Sequence, residues 1–324
     1  MTLRTALSQC LGITVPILSA PMAGVAGGAL AAAVSRAGAL GLIGGGYGDR
    51  EWLSRELDIA ADAGVGVGVG FISWALARDP DLLTMALERR PRAVFLAFGD
   101  IGPYASRIAN AGVPLIVQVQ TVAGARAAVS SGARIIVAQG TEAGGHGGER
   151  ATMALVPAVV DVVRDIPVVA AGGIADGRGL AAALMLGAAG VLCGTAFYAC
   201  RESLAHPKAK DAALDASGDR TVRGKVFDIV RGHNWPEPWM VRTLENGFYN
   251  RWASDPEMLE RDISRQRQIY LAAQIRGDVD TAAVIVGEAI DLVHKVESAA
   301  TVVARIASEA QSRLRQAHTD AAWS

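Results

Sequence analysis

Short apolar runs rich in Val, Ile and Leu recur through the first two hundred residues, at 17–20, 40–43, 65–71, 93–96, 115–119, 135–138, 168–171 and 191–194. The recurring theme is such a run ending in glycine or a polar residue, followed by an Ala-rich stretch of helical length. Near-continuous apolar character over so few residues marks a strand buried on both faces. The stretches between, such as 27–37, 51–63, 79–89, 104–111, 122–131, 155–164 and 177–186, predict helices. Ala37-Gly38, Ala63-Gly64, Ala111-Gly112, Ser131-Gly132 and Leu186-Gly187 put glycine where a helix C-cap needs it. Strands alternating with helices imply βαβ units and a parallel sheet. Eight units favour a closed (β/α)8 TIM barrel of the α/β class over an open Rossmann-like sheet with one or two strands misassigned.

The rhythm stops near Arg201. Prolines, tryptophans and charges follow, as in Gly232-His233-Asn234-Trp235-Pro236-Glu237-Pro238-Trp239. This texture predicts a helical cap domain over 204–279, inserted after the last strand. Residues 235–239 suit either a pocket mouth or the core of that cap. Helical spacing resumes from about Asp280 to Gln316, at Ile285, Ile290, Val293, Val296, Val303 and Ile306. The barrel then comprises 1–203 and 280–324.

Composition narrows the class. Thirty-one basic residues against 32 acidic ones leave a net charge of -1, which offers no electrostatic footprint for nucleic acid. No uninterrupted apolar run reaches the roughly 18 residues of a membrane span, so no membrane partner is expected. Three cysteines, Cys10, Cys193 and Cys200, form neither a disulfide framework nor a CxxC pair. A reduced, cytoplasmic setting follows. The 37 glycines need a further reason than close packing.

Barrel enzymes carry their chemistry at the C-terminal ends of the strands, with phosphate often held after strands 7 and 8. Ala171-Gly172-Gly173-Ile174-Ala175-Asp176-Gly177-Arg178 and Cys193-Gly194-Thr195-Ala196 fall there. Both offer backbone N–H groups to an anion, and both also suit plain tight turns. Asp176 reads as a helix N-cap rather than a ligand. In the third strand, period two puts Gly64, Gly66, Gly68 and Gly70 on one face. Either a ligand or neighbouring side chains fill that face, and Gly70 is the ligand-facing candidate. Gln118 ends the fifth strand and could donate to a bound ring. After the sixth strand, His146 stands among Gly144, Gly145, Gly147 and Gly148. Glycines strip away shielding side chains, which favours a functional histidine over a buried structural one.

Several chemistries lack their motif. No GxGxxG with a suitably spaced acid follows a strand. The five histidines are scattered, so no metal site is expected. The four lysines all lie outside the predicted strands, against a Schiff base. No GxSxG elbow occurs.

Ala20-Pro21-Met22-Ala23-Gly24, Gly140-Thr141-Glu142-Ala143-Gly144-Gly145-His146, Ala171 to Arg178 and Gly194-Thr195-Ala196-Phe197 occur in that order. Together they resemble the nitronate monooxygenase family, formerly 2-nitropropane dioxygenases. The resemblance covers 16–206. It implies an FMN-dependent TIM barrel with an inserted helical domain. It implies FMN phosphate on Gly172, Gly173 and the loop of Leu192, Cys193, Gly194 and Thr195. Backbone of Ala20, Pro21, Met22, Gly70 and Gly144 would lie nearby, and Gln118 and Gln139 would contact the flavin ring or ribityl chain. His146 matches the family's active-site histidine, a general base on the carbon bearing the nitro group in members that use nitroalkanes. The resemblance implies nitronate oxidation with O2 to a carbonyl compound and nitrite. Similar motifs occur in FMN-dependent enoyl-acyl-carrier-protein reductases and quinone reductases that use NAD(P)H. A homodimer is compatible with either.

Overall fold

The computed structural model describes residues 3–320. Eight parallel strands form the barrel: β1 Ile17–Ser19, β2 Leu42–Gly44, β3 Gly68–Ile72, β4 Val94–Ala97, β5 Leu115–Val119, β6 Ile135–Gln139, β7 Val168–Ala171 and β8 Gly190–Cys193. The hydrogen-bonded order is β1-β8-β7-β6-β5-β4-β3-β2. A parallel bridge between Leu18 and Leu40 brings β1 beside the segment entering β2. The Ser19 amide donates to the Leu40 carbonyl, and the Ser19 hydroxyl accepts from the Leu42 amide at 3.2 Å.

Alternation along the strands makes two cores. Leu18, Leu42, Phe95, Ile116, Ile135, Val137, Val169 and Leu192 fill the barrel interior. Ile43, Val69, Val94, Leu96, Val117, Ile136 and Ala170 face the surrounding helices. Leu7 and Leu11 of the helix Ala6–Leu11 join the inner core. That helix starts with a reciprocal Thr5–Ser8 capping box.

The glycine run divides where the sequence predicted one strand. Gly64 ends the preceding helix with φ +66°, and β3 starts only at Gly68. A Cβ on Gly68 would sit 2.4 Å from Leu42 Cδ2, and one on Gly70 would sit 2.4 Å from Pro21 Cβ. Neighbouring side chains therefore fill that face.

The segment 204–279 is mixed rather than purely helical. Strands Thr221–Gly224 and Met240–Leu244 pair antiparallel, and Met240–Leu244 also pairs with Gly145–Gly147. A separate core of Val226, Phe227, Val230, Val241, Phe248, Trp252, Leu259 and Tyr270 supports them. The expected helix from 280 begins only at Ala299. Most of 280–298 is an extended strap with one short 3-10 turn at Glu288–Leu292. Val284, Val286, Ala289, Ile290 and Val293 are buried along this strap while Val296 is exposed, so the apolar spacing there reflects burial of an extended segment and not a helix. The final helix, Ala299–Asp320, packs on Gly177–Met185 and Gly28–Arg36. Among the described residues, no helix is long and apolar enough to cross a membrane, and no cluster of His, Cys, Asp and Glu is placed to hold a metal.

Candidate active site

A cavity opens at the C-terminal ends of the strands. Its walls include Ala20, Pro21, Met22, Gly70, Gln118, Gln139, Gly144, His146, Gly172, Gly173, Leu192, Gly194 and Thr195. Cys193, proposed from the sequence with its neighbours, is not among them. Strand alternation turns it into the outer core, where burial pushes its thiol up to about 12. Its carbonyl accepts from the amide of Ala20, a cavity-wall residue, at 2.9 Å.

Two glycines owe their places partly to chain crossings and a third to its backbone conformation. A Cβ on Gly144 would lie 2.6 Å from the Gly287 amide nitrogen, and one on Gly172 would lie 2.9 Å from the Gly140 carbonyl. Gly173 adopts φ +71°. Gly194 differs: a Cβ there would approach only Ala20 and Met22, both cavity walls, at 3.4 and 3.7 Å. The Thr195 hydroxyl accepts from the Gly287 amide at 2.9 Å and so anchors the strap. Asp176 caps its helix, accepting from the Arg178 and Gly179 amides. Glu309 accepts from the Gly177 amide at 2.9 Å. The start of that helix is thus satisfied by protein carboxylates.

His146 is held on every side. Its strand is pinned by the register Val241↔His146. Gln139 Nε2 donates to the His146 carbonyl at 3.0 Å, while Gln139 Oε1 accepts from Gln118 Nε2 and Gln120 Nε2. Trp239 Nε1 donates to Gln120 Oε1 at 3.3 Å, which ties this amide chain to the cap. The imidazole is buried and stacks on Trp235, with ring centroids 3.4 Å apart and planes 10° off parallel. Its Nε2 lies 2.9 Å from Asp228 Oδ2. A carboxylate only accepts, so Nε2 carries the proton and Nδ1 keeps the basic lone pair. Burial lowers the His146 pKa, and the Asp228 bond opposes that shift.

The cavity's remaining side is aromatic. Phe98, at φ +61°, follows β4 and meets Trp235 edge-on at 5.0 Å. A bulky residue in the left-handed region is strained and persists only where surrounding structure fixes it. Trp235 Nε1 donates to the Tyr47 hydroxyl at 3.1 Å. Tyr47 in turn stacks on His233 at 3.6 Å. Arg231 also lines this side. From the cap, Arg223 donates to the Thr141 and Met240 carbonyls, and burial lowers its pKa to about 10. Arg242 donates to Thr141 as well. The cap thereby fixes the loop leading to His146.

Asp228, Tyr47, Phe98, Arg231 and Gln120 escaped the sequence reading as site residues, whereas Trp235 lines the cavity, one of the two places that reading left open for 235–239. None belongs to a local motif. The one usable signal was a His-Trp-Pro cluster in a cap of unusual texture.

A buried, carboxylate-oriented histidine at the C-terminal mouth of a parallel (β/α)8 barrel, under a cap from the same chain, defines an enzyme of the barrel class. The chain belongs to the nitronate monooxygenase family, whose model matches residues 4–64 and 72–309, and it is an oxidoreductase. The gap falls on the glycine run before and into β3. The chain is 35% identical to nitronate monooxygenase npaC of Metarhizium robertsii, with 96% of this chain and 97% of that protein covered. It is 38% identical to (3aS,4S,5R,7aS)-5-hydroxy-7a-methyl-1-oxo-octahydro-1H-indene-4-carboxyl-CoA dehydrogenase of Rhodococcus jostii, covering 76% of this chain and 69% of that one. FabK from Thermotoga maritima superposes with a TM-score of 0.85 at 31% identity, covering 98% of this chain and all of that one.

Proposed function

We propose that the protein is an FMN-dependent oxidoreductase that oxidises nitronates with O2 to a carbonyl compound and nitrite, with nitroalkanes as further substrates. The observation that carries this reading is the His146–Asp228 pair facing a cavity with small, backbone-rich walls. The walls suit a flavin. Ala20, Met22, Gly173, Gly194 and Thr195 offer backbone and a hydroxyl toward a phosphate, and the open Cβ position of Gly194 leaves room for it. The buried amides of Gln118 and Gln139 line the same cavity and would offer polar partners to a ring edge. Bound FMN supplies the redox chemistry.

The chain's own residues bind, orient and move protons. Asp228 fixes the imidazole and its tautomer. His146 Nδ1 accepts the proton from the carbon bearing the nitro group when the substrate is a neutral nitroalkane. Trp235 and Phe98 exclude water from the histidine, and the segment 204–279 serves as the substrate-side cap. Stopped-flow spectroscopy of the FMN-loaded protein under anaerobic conditions tests this. Rapid flavin bleaching by an alkyl nitronate, and slow bleaching by NADH, is expected. Bleaching by NADH alone would sink it. Protein that stays colourless after titration with FMN would remove the cofactor assignment.

A second reading is an NAD(P)H-dependent FMN reductase of quinones or enoyl thioesters. The relative named as a carboxyl-CoA dehydrogenase favours it, since that name places a CoA thioester on a related barrel. The NADH arm of the same experiment separates the two.

A further inference from the structure

We propose that Arg231 is the specificity-determining residue of the cavity and binds the substrate's planar, two-oxygen anion. The inference rests on the nitronate reading and names which residue meets the negative charge. Among the described residues that line the cavity, Arg231 is the only permanently charged one. The other walls are glycine, aliphatic and aromatic residues with a few neutral polar groups.

Arg231 Nη1 is buried and has no hydrogen-bond partner. The guanidinium carbon lies 5.6 Å from the centroid of the Tyr47 ring. Tyr47 engages the guanidinium through this cation–π contact and a side-chain hydrogen bond, which satisfies part of the charge but leaves Nη1 unpaired. Asp228, three residues earlier on the helix Val226–Arg231, does not satisfy it either: its Oδ2 is engaged by His146, and its Oδ1, though free, has no hydrogen-bond partner. A buried donor left unpaired costs free energy that a ligand can recover.

Geometry then selects the ligand. Residues three apart share a helix face, so this one turn presents both the carboxylate that orients His146 and the guanidinium. A guanidinium fork matches two coplanar oxygens sharing one negative charge. Nitronates and carboxylates have that shape. Tyr47 flanks the guanidinium and Trp235 and Phe98 line the same cavity, so an anion with an apolar or aromatic body fits better than a small hydrated one.

The test uses the FMN-loaded protein and Arg231→Met, with Arg231→Lys as a second variant that keeps the charge without the fork. Calorimetric titration with benzoate and with its neutral isostere benzamide reads binding without turnover. Benzoate affinity should fall about 10- to 100-fold in Arg231→Met, less in Arg231→Lys, with benzamide unchanged. Kinetics with ethyl nitronate and propionate 3-nitronate assign the oxygen pair. A KM increase with both substrates places the nitronate on Arg231, and an increase with the second alone places the carboxylate there. Unchanged benzoate affinity and unchanged KM in both variants would overturn the proposal. Wild-type protein that binds benzoate through Arg231 but oxidises no nitronate would retain the anion site and refute the reaction.

Discussion

His146 and Asp228 stand 82 residues apart in the chain and meet at 2.9 Å, one on a strand after β6 and the other on a helix of the cap. The carboxylate is buried and its Oδ1 has no partner, so the bond to His146 is its principal satisfaction. Asp228→Asn replaces an obligate acceptor with a group that can also donate, and the imidazole loses its fixed tautomer. Turnover of a neutral nitroalkane should fall by about 10- to 100-fold, part of what a positioned base contributes. Turnover of a preformed nitronate, which needs no proton removal, should fall much less. Equal losses with both substrates would show that the pair does not serve proton abstraction.

The pH profile carries a sign. Burial lowers the His146 pKa from its ordinary value near 6.5, and Asp228 resists that shift. The acid limb of kcat/KM for a nitroalkane should therefore lie below about 6.5, and Asp228→Asn should move it lower still. Stability follows the same direction. His233 is also lowered, to about 4, chiefly by burial with Arg231 adding to it. Both rings are held neutral in the folded state, so their stabilising contribution is complete above about 6.5 and is lost as pH falls toward 4. Melting temperatures across that window should drop less steeply in His233→Gln. An identical slope would exclude this ring as the source.

The barrel was legible because its strands are short runs buried on both faces, and because Asp176 caps its helix through purely local contacts. Gly145–Gly147 was not legible as a strand. Glycine disfavours strands, and the partner Met240–Leu244 lies far along the chain. The strap misled for a different reason: of the residues that suggested helical spacing there, Ile290 and Val293 are buried, Ile285 partly so and Val296 is exposed, and an extended segment with such burial imitates a helix in sequence. Tyr47, Asp228 and Arg231 enter the site as single residues from separate elements. No spacing rule links them before the cap is folded onto the barrel.

Thiol chemistry distinguishes the two faces of β8. Cys193 and Cys200 are buried, and burial pushes both thiols up to about 12. Cys10 is exposed. A thiolate-selective reagent should label Cys10 at once and the other two only after unfolding, because the thiolate is the reactive form. Fast native labelling of Cys193 would mean that its side chain faces the cavity after all. FMN loading should not alter the labelling of Cys193, whereas a thiol lining the cofactor would be protected.

Gly70 tests the join between β1 and β3. It lines the cavity, yet the space its missing side chain leaves is already filled: a Cβ would lie 2.4 Å from Pro21 Cβ and 2.5 Å from Pro21 Cγ. A proline ring cannot swing aside as a flexible side chain would, because the backbone fixes it. Gly70→Ala must therefore push Pro21, and with it the wall formed by Ala20 and Met22. Overpacking of this kind costs about 1–3 kcal/mol. The melting temperature should fall, and FMN affinity should weaken more than stability alone explains, since the displaced wall belongs to the cofactor side. Val69→Ala supplies the control, because Val69 is buried in the outer core. That variant should lose stability while its FMN affinity stays at the wild-type value. If Gly70→Ala bound FMN normally despite a lower melting temperature, Pro21 would be a packing residue and the cofactor would lie elsewhere along the mouth.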